Sequence, residues 1–163
     1  MKKKLENYAF IDGQNLHLGV TSLGWKLDYA RFFIYLKEKY AVKKAYLFLG
    51  YIKDHEDLYK YLKASGFDII FKETTKDKNG KHKGNVDVDL TLHTILKQKE
   101  CKKTILITSD GDFSPLIKYL LLENKLERLL SPKHNLCSWL LRKYAKSKID
   151  YLDNAKNKLK KHP

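Results

Sequence analysis

The 163-residue sequence predicts a three-layer α/β sandwich with a central, mainly parallel sheet. Short apolar runs alternate along the chain with segments of helical periodicity, the pattern of βαβ crossovers and of a sheet covered on both faces. No repeat or linker interrupts the alternation. Residues 1–163 therefore read as one domain, with a basic tail from about residue 154.

The elements follow in order. Tyr8-Ala9-Phe10-Ile11 reads as a buried strand that ends at Asp12-Gly13. Behind Asp28, a residue type suited to N-capping, Tyr29, Phe32, Phe33 and Leu36 recur at helical spacing. Lys44 to Tyr51 reads as a second strand. Asp54 to Ala64 reads as a helix with Leu58, Tyr61 and Leu62 inward, ended by Ser65-Gly66. Phe67 to Phe71 is a third strand. Residues 72–85 contain no large apolar side chain and are rich in lysine, which suits a surface loop or hairpin. A helix is expected over Val86 to Gln98, with Val88, Leu92, Ile95 and Leu96 on its packed side. Thr104 to Thr108 is a fourth strand. Phe113 to Leu122 reads as a helix with Pro115 in its first turn, where a missing N–H costs little. Leu126 to Leu130 suits a fifth strand and Leu136 to Tyr144 another helix, while Asn154 to Pro163 is expected to fray.

Thirty-three Lys plus Arg against 19 Asp plus Glu give a net charge of +14, an excess that attracts polyanions, nucleic acid first among them. A solvated lysine-rich surface is the plainer reading of the same number. No apolar run approaches the ~18 residues of a membrane span. Glu6, Asn7 and Asp12 break any signal-peptide core behind the basic start, so no membrane partner and a cytoplasmic location are expected. Cys101 and Cys137 match neither a disulfide framework nor a metal spacing and read as free thiols.

In open parallel sheets, ligands bind beyond the carboxyl ends of the strands, where strand order reverses. Asp12 stands at the end of the first strand and Asp110 at the end of the fourth. Asp112 follows at the expected N-cap of the next helix, and Asp87 opens the helix after the basic loop. If the first and fourth strands are neighbours, these acids converge. Converging carboxylates repel and stay ionised only beside cations. Oxygen donors without a cysteine or histidine pattern suit Mg²⁺ or Mn²⁺ rather than Zn²⁺, and such ions recruit phosphate. Each acid also has a plainer role: Asp12 as a turn former, Asp112 as an N-cap of about 1 kcal/mol, Asp87 as a complement to a helix dipole. Asp89 competes with Asp87, but the two lie ~200° apart on a helix and cannot share one site. Asp87 is preferred because it lies nearer the helix start, and Asp89 with His93 reads as a surface pair.

Three stretches resemble the motifs of NYN domains, a branch of the PIN-like nucleases. Phe10-Ile11-Asp12-Gly13-Gln14-Asn15-Leu16 is similar to their opening motif. Lys83-Gly84-Asn85-Val86-Asp87-Val88 resembles their central Lys-Gly-x-Val-Asp motif. Ile107-Thr108-Ser109-Asp110-Gly111-Asp112-Phe113-Ser114-Pro115-Leu116-Ile117 resembles the third. The resemblance implies a PIN-like fold and Mg²⁺- or Mn²⁺-dependent cleavage of RNA, with Asp12, Asp87, Asp110 and Asp112 as metal-binding and catalytic residues. It also implies supporting places for Asn15, orienting Asp12 or a water, and for Ser109, bonded to a carboxylate or the scissile phosphate. Many relatives carry a further acid one or two helical turns after the central motif. This chain has Thr91 and His93 there, with Asp89 as the substitute at hand.

The expected activity is ribonucleolytic, endonucleolytic in type, on single-stranded RNA. Lys76, Lys78, Lys81 and Lys83 would grip phosphates, and lysine-flanked tyrosines such as Tyr59, Tyr61 and Tyr144 are candidates for stacking bases. A non-catalytic RNA-binding protein of the same fold is the alternative. An aspartyl-phosphate phosphatase is disfavoured because Gly13-Gln14, not a second acid, follows Asp12. A dinucleotide-binding enzyme is disfavoured because no Gly-x-Gly-x-x-Gly follows the first strand.

Overall fold

A computed structural model describes residues 5–83 and 85–163, with Lys83 described in its backbone alone. The Lys83 side chain, expected in the phosphate grip, and Gly84 of the central motif lie outside the described residues.

The chain opens with β1 (Asn7–Asp12), α1 (Gly13–Ser22), α2 (Tyr29–Tyr40) and β2 (Val42–Gly50). It continues through α3 (Glu56–Ala64) and β3 (Asp68–Lys72) into a small antiparallel hairpin, β4 (Thr75–Lys76) and β5 (His82–Lys83). Next come α4 (Asp87–Lys97), β6 (Thr104–Ile107), α5 (Ser114–Leu122) and β7 (Leu126–Ser131). The last elements are α6 (Trp139–Ala145), β8 (Ile149–Tyr151) and α7 (Lys156–Leu159). Six strands form one parallel sheet in the order β3-β2-β1-β6-β7-β8. The order reverses between β1 and β6, so the first strand and the strand carrying Asp110 are neighbours, as the convergence of acids requires.

Both faces of the sheet are covered. Ala9 and Ile11 of β1 join Leu16, Val20, Phe32, Leu36 and Leu159 in one core, on the side of α1, α2 and α7. Tyr8 and Phe10 face the other core, with Leu90, Phe113, Ile117 and Leu141 from α4, α5, α6 and the turn before α5. Near-continuous apolar runs such as Tyr8–Ile11 are what a strand buried on both faces demands. Among the described residues, no helix is long and apolar enough to cross a membrane, and Cys101 and Cys137 are buried and free.

Four expectations are corrected. In α3 the buried residues are Tyr59 and Leu62, whereas Leu58 and Tyr61 are exposed. In α4, Val88, Leu92 and Leu96 point to solvent. The inward face is instead Asp87, Leu90, Thr94 and Gln98, at successive helical spacing, because Asp87 must face the sheet's carboxyl edge. Asp89 and His93 do not pair. Asp89 reaches Lys72 Nζ on β3 at 2.9 Å, and His93 packs edge-on against Phe10, Tyr46 and Phe48, where burial lowers its pKa.

The fourth correction is the tail. Leu159 is fully buried, its carbonyl accepts from Asp28 N–H at 2.8 Å, and Lys161 N–H donates to Lys26 O at 2.7 Å. A single large apolar residue in a basic decapeptide leaves no periodicity from which such docking can be read. Leu159→Ala is expected to destabilise the protein by about 2–5 kcal/mol in chemical denaturation. A frayed tail would give a change within about 0.5 kcal/mol.

Candidate metal centre

Asp12 is the last residue of β1 and the N-cap of α1, its Oδ1 accepting from Asn15 N–H at 3.3 Å. Gly13 follows because a Cβ there would lie 2.8 Å from the Phe48 carbonyl oxygen of β2. The Asp12-Gly13 pair thus makes a close backbone approach as well as a turn. Beyond β6, Thr108 is buried and its hydroxyl serves two groups. It donates to Asp12 Oδ2 at 3.4 Å and accepts from Asp110 N–H at 3.1 Å, joining the two strand ends. Asp87 begins α4, and its N–H donates to Asn85 Oδ1 at 2.8 Å.

These elements bring Asp12, Asp87 and Asp110 together, with one carboxylate oxygen of each within 4.8 Å of the others. Oxygens that share one ion at ~2.0–2.6 Å stand at most ~5 Å apart, so the three residues fit a hard divalent cation. Burial pushes the Asp12 carboxyl up to about 6, and the charges of Asp87 and Asp110 add to this against the opposing Asn15 and Thr108 bonds. Burial also raises Asp87, with the charges of Asp110 and Asp112 raising it further and the Asn85 bond lowering it.

Asp112 lies outside the triad. Asp110, not Asp112, caps the turn at Gly111–Phe113, accepting from Asp112 N–H at 2.9 Å, and Asp112 itself is exposed. Asn15 does not orient Asp12 through its amide. Its side-chain oxygen accepts from both Ser109 N–H and Ser109 Oγ at 2.9 Å, and only its backbone N–H meets Asp12. Ser109 is accordingly committed to Asn15 rather than to a carboxylate. Asp89 faces Lys72 and stays out of the pocket. Of the lysine group, Lys76, Lys78 and Lys81 are exposed on the hairpin, whose turn is pinned by Asp77 Oδ1 accepting from Asn79 and Lys81 N–H at 2.9 Å. Sequence reasoning gave Thr108 no role of its own, although it closes the expected fourth strand and stands in the third motif.

An acidic pocket at the reversal point of a parallel, two-faced sheet defines a PIN-like α/β domain. Residues 8–152 match the NYN domain, and the chain belongs to that family. No curated protein matches the sequence. A protein of unknown function from Vibrio parahaemolyticus RIMD 2210633 is similar in structure, with TM-score 0.80 and 22% identity over 99% of this chain and 100% of that one. A PLP-bound chain from Clostridium difficile 630 described as an aminotransferase aligns at TM-score 0.30 and 14% identity, covering 72% of this chain and 34% of that chain. The first likeness bears on the fold alone, and the second carries no argument.

The raised Asp12 value sets a pH signature. Folding favours the protonated acid, so metal-free stability is fullest below the unfolded carboxyl value near ~4 and falls as pH rises through the folded one. In metal-free protein Asp12→Asn should therefore melt above the wild type at neutral pH, by on the order of 2 kcal/mol, with the gap closing in acid. Differential scanning calorimetry across pH checks this. A variant that melts lower at every pH would make Asp12 a structural residue.

Proposed function

We propose that this chain is a metal-dependent ribonuclease that uses Mg²⁺ or Mn²⁺ and cuts single-stranded RNA endonucleolytically. The observation that carries the reading is the convergence of Asp12, Asp87 and Asp110 within 4.8 Å in an NYN domain of net charge +14. In this reading the three acids hold the ion. When bound, it supplies Lewis-acid polarisation of a phosphodiester and a site for activating water. The Thr108 hydroxyl bonds one Asp12 carboxylate oxygen and the Asp110 backbone N–H, which would help to hold these two residues ready for an ion. Asp112 is exposed beside the triad, and its charge raises the Asp87 carboxyl, so it would serve as a further acceptor near the ion. Lys76, Lys78 and Lys81 draw the RNA backbone in from the hairpin that precedes Asp87. The buried free thiols Cys101 and Cys137 suit work in a reducing cytoplasm.

The reading is tested with labelled single-stranded and duplex RNA and DNA, with and without Mn²⁺. Mn²⁺-dependent cuts inside single-stranded RNA are expected, lost in Asp110→Asn while gel-shift binding survives. Binding without cleavage in the wild type would leave an RNA-binding protein in place of an enzyme.

Changing Lys76, Lys78 and Lys81 together to Ala is expected to weaken RNA binding and to flatten its log–log salt dependence by roughly 0.7 per lost phosphate contact. The single-turnover rate at saturating RNA should hold, because the acids remain. An unchanged affinity and salt slope would make the hairpin a bystander.

A further inference from the structure

On the other flank of the acids, α6 carries Tyr144, one of the tyrosines expected to stack bases, together with a tryptophan that none of the roles above uses. Trp139, its first residue, is 61% exposed, whereas Trp25 is buried with its indole N–H donating to Asp153 Oδ1 at 3.2 Å. An indole left this open retains a large apolar face that water solvates poorly. Lys143, one helical turn on, places its ammonium 5.0 Å from the Trp139 ring centroid and 5.4 Å from that of Tyr144. Lys118 of α5 lies 4.3 Å from the Tyr144 ring on its other contact. The result is a run of alternating aromatic rings and ammonium groups.

Its position ties it to the acids. Ser138 N–H donates to Ser109 O at 3.0 Å, directly before Asp110, and a Cβ at Gly111 would overlap the Ser138 hydroxyl. Trp139 is therefore the next residue after the one on which the Asp110 loop rests. The hairpin lysines approach from the β3 side of the sheet, and α6 stands on the β7 side.

We infer that Trp139 is a stacking platform for an unpaired nucleobase of the RNA, with Lys143 and Lys118 holding the neighbouring phosphates. Every base has a π face, so such a platform takes any single-stranded sequence, and paired bases in a duplex do not present that face to it. The inference rests on the nuclease reading only for its ligand, single-stranded RNA.

Binding is measured in the full chain carrying Asp110→Asn, so that the strand stays intact. The probes are a single-stranded RNA and an abasic ribose-phosphate strand of equal length. RNA should quench the exposed tryptophan's fluorescence and leave the buried Trp25 component. Trp139→Ala should weaken RNA binding on the order of tenfold and leave abasic-strand binding unchanged. Trp139→Phe should restore most of the lost affinity, and Lys143→Ala should weaken both probes. The inference is overturned if Trp139→Ala binds RNA like its parent, if it loses both probes equally, or if quenching is absent. Hydrolysis by the wild type of a phosphodiester that lacks nucleobases reads the acid centre separately. Its failure would remove the nuclease reading without touching the stacking result.

Discussion

The molecule is organised around three like-charged oxygens kept within 4.8 Å of one another. Left to themselves these groups would move apart or take up protons; burial pushes the Asp12 carboxyl up to about 6, and the charges of Asp87 and Asp110 add to that push. The hydrogen bonds around them fix position without supplying positive charge. Thr108 holds the β1 and β6 ends with one hydroxyl, and Asn15 takes both donors of Ser109. Positional restraint with uncancelled negative charge is the condition that a divalent cation satisfies.

The sheet makes that restraint possible. β1 and β6 are buried on both faces, so their ends cannot drift without opening two cores. The positive charge that an RNA backbone needs stands at some remove from the acids, on the hairpin toward one edge and on α5 and α6 toward the other. Lysines placed among the acids themselves would have neutralised them. A negative floor and positive walls is the division that the proposed pairing of a cation with an RNA backbone would require.

Much of this was legible in the sequence because it is local. Apolar runs ending in Asp12 and near Asp110 marked two strand ends, whose adjacency stood as a condition until the strand order supplied it. Its place nearer the helix start favoured Asp87 over Asp89, and in the structure Asp89 pairs with Lys72. What failed was orientation. The apolar side chains of α4 suggested a packed face at Val88, Leu92 and Leu96, but a helix that must aim Asp87 at the sheet edge turns those residues outward. Helix α1 went unread because its glycines, threonine and serine mask the Leu16–Val20 spacing that buries it. Thr108, Ser138 and the docked tail were invisible for a common cause. Each works through partners distant in the chain, and no local pattern encodes a distant partner.

The docked tail has a consequence for how the chain comes off the ribosome. The layer built from α1 and α2 is synthesised early, yet its cover comes from Leu159, and Trp25 waits for Asp153. The antiparallel bridge from Leu27 to Lys160 closes between segments made far apart in time. Until then, the apolar side of α2 that meets α7 stays open in the growing polypeptide. Closure of that layer thus waits for the segment around Leu159, and a nascent chain that stalls before it offers chaperones an apolar flank beside a sheet whose strands are already made.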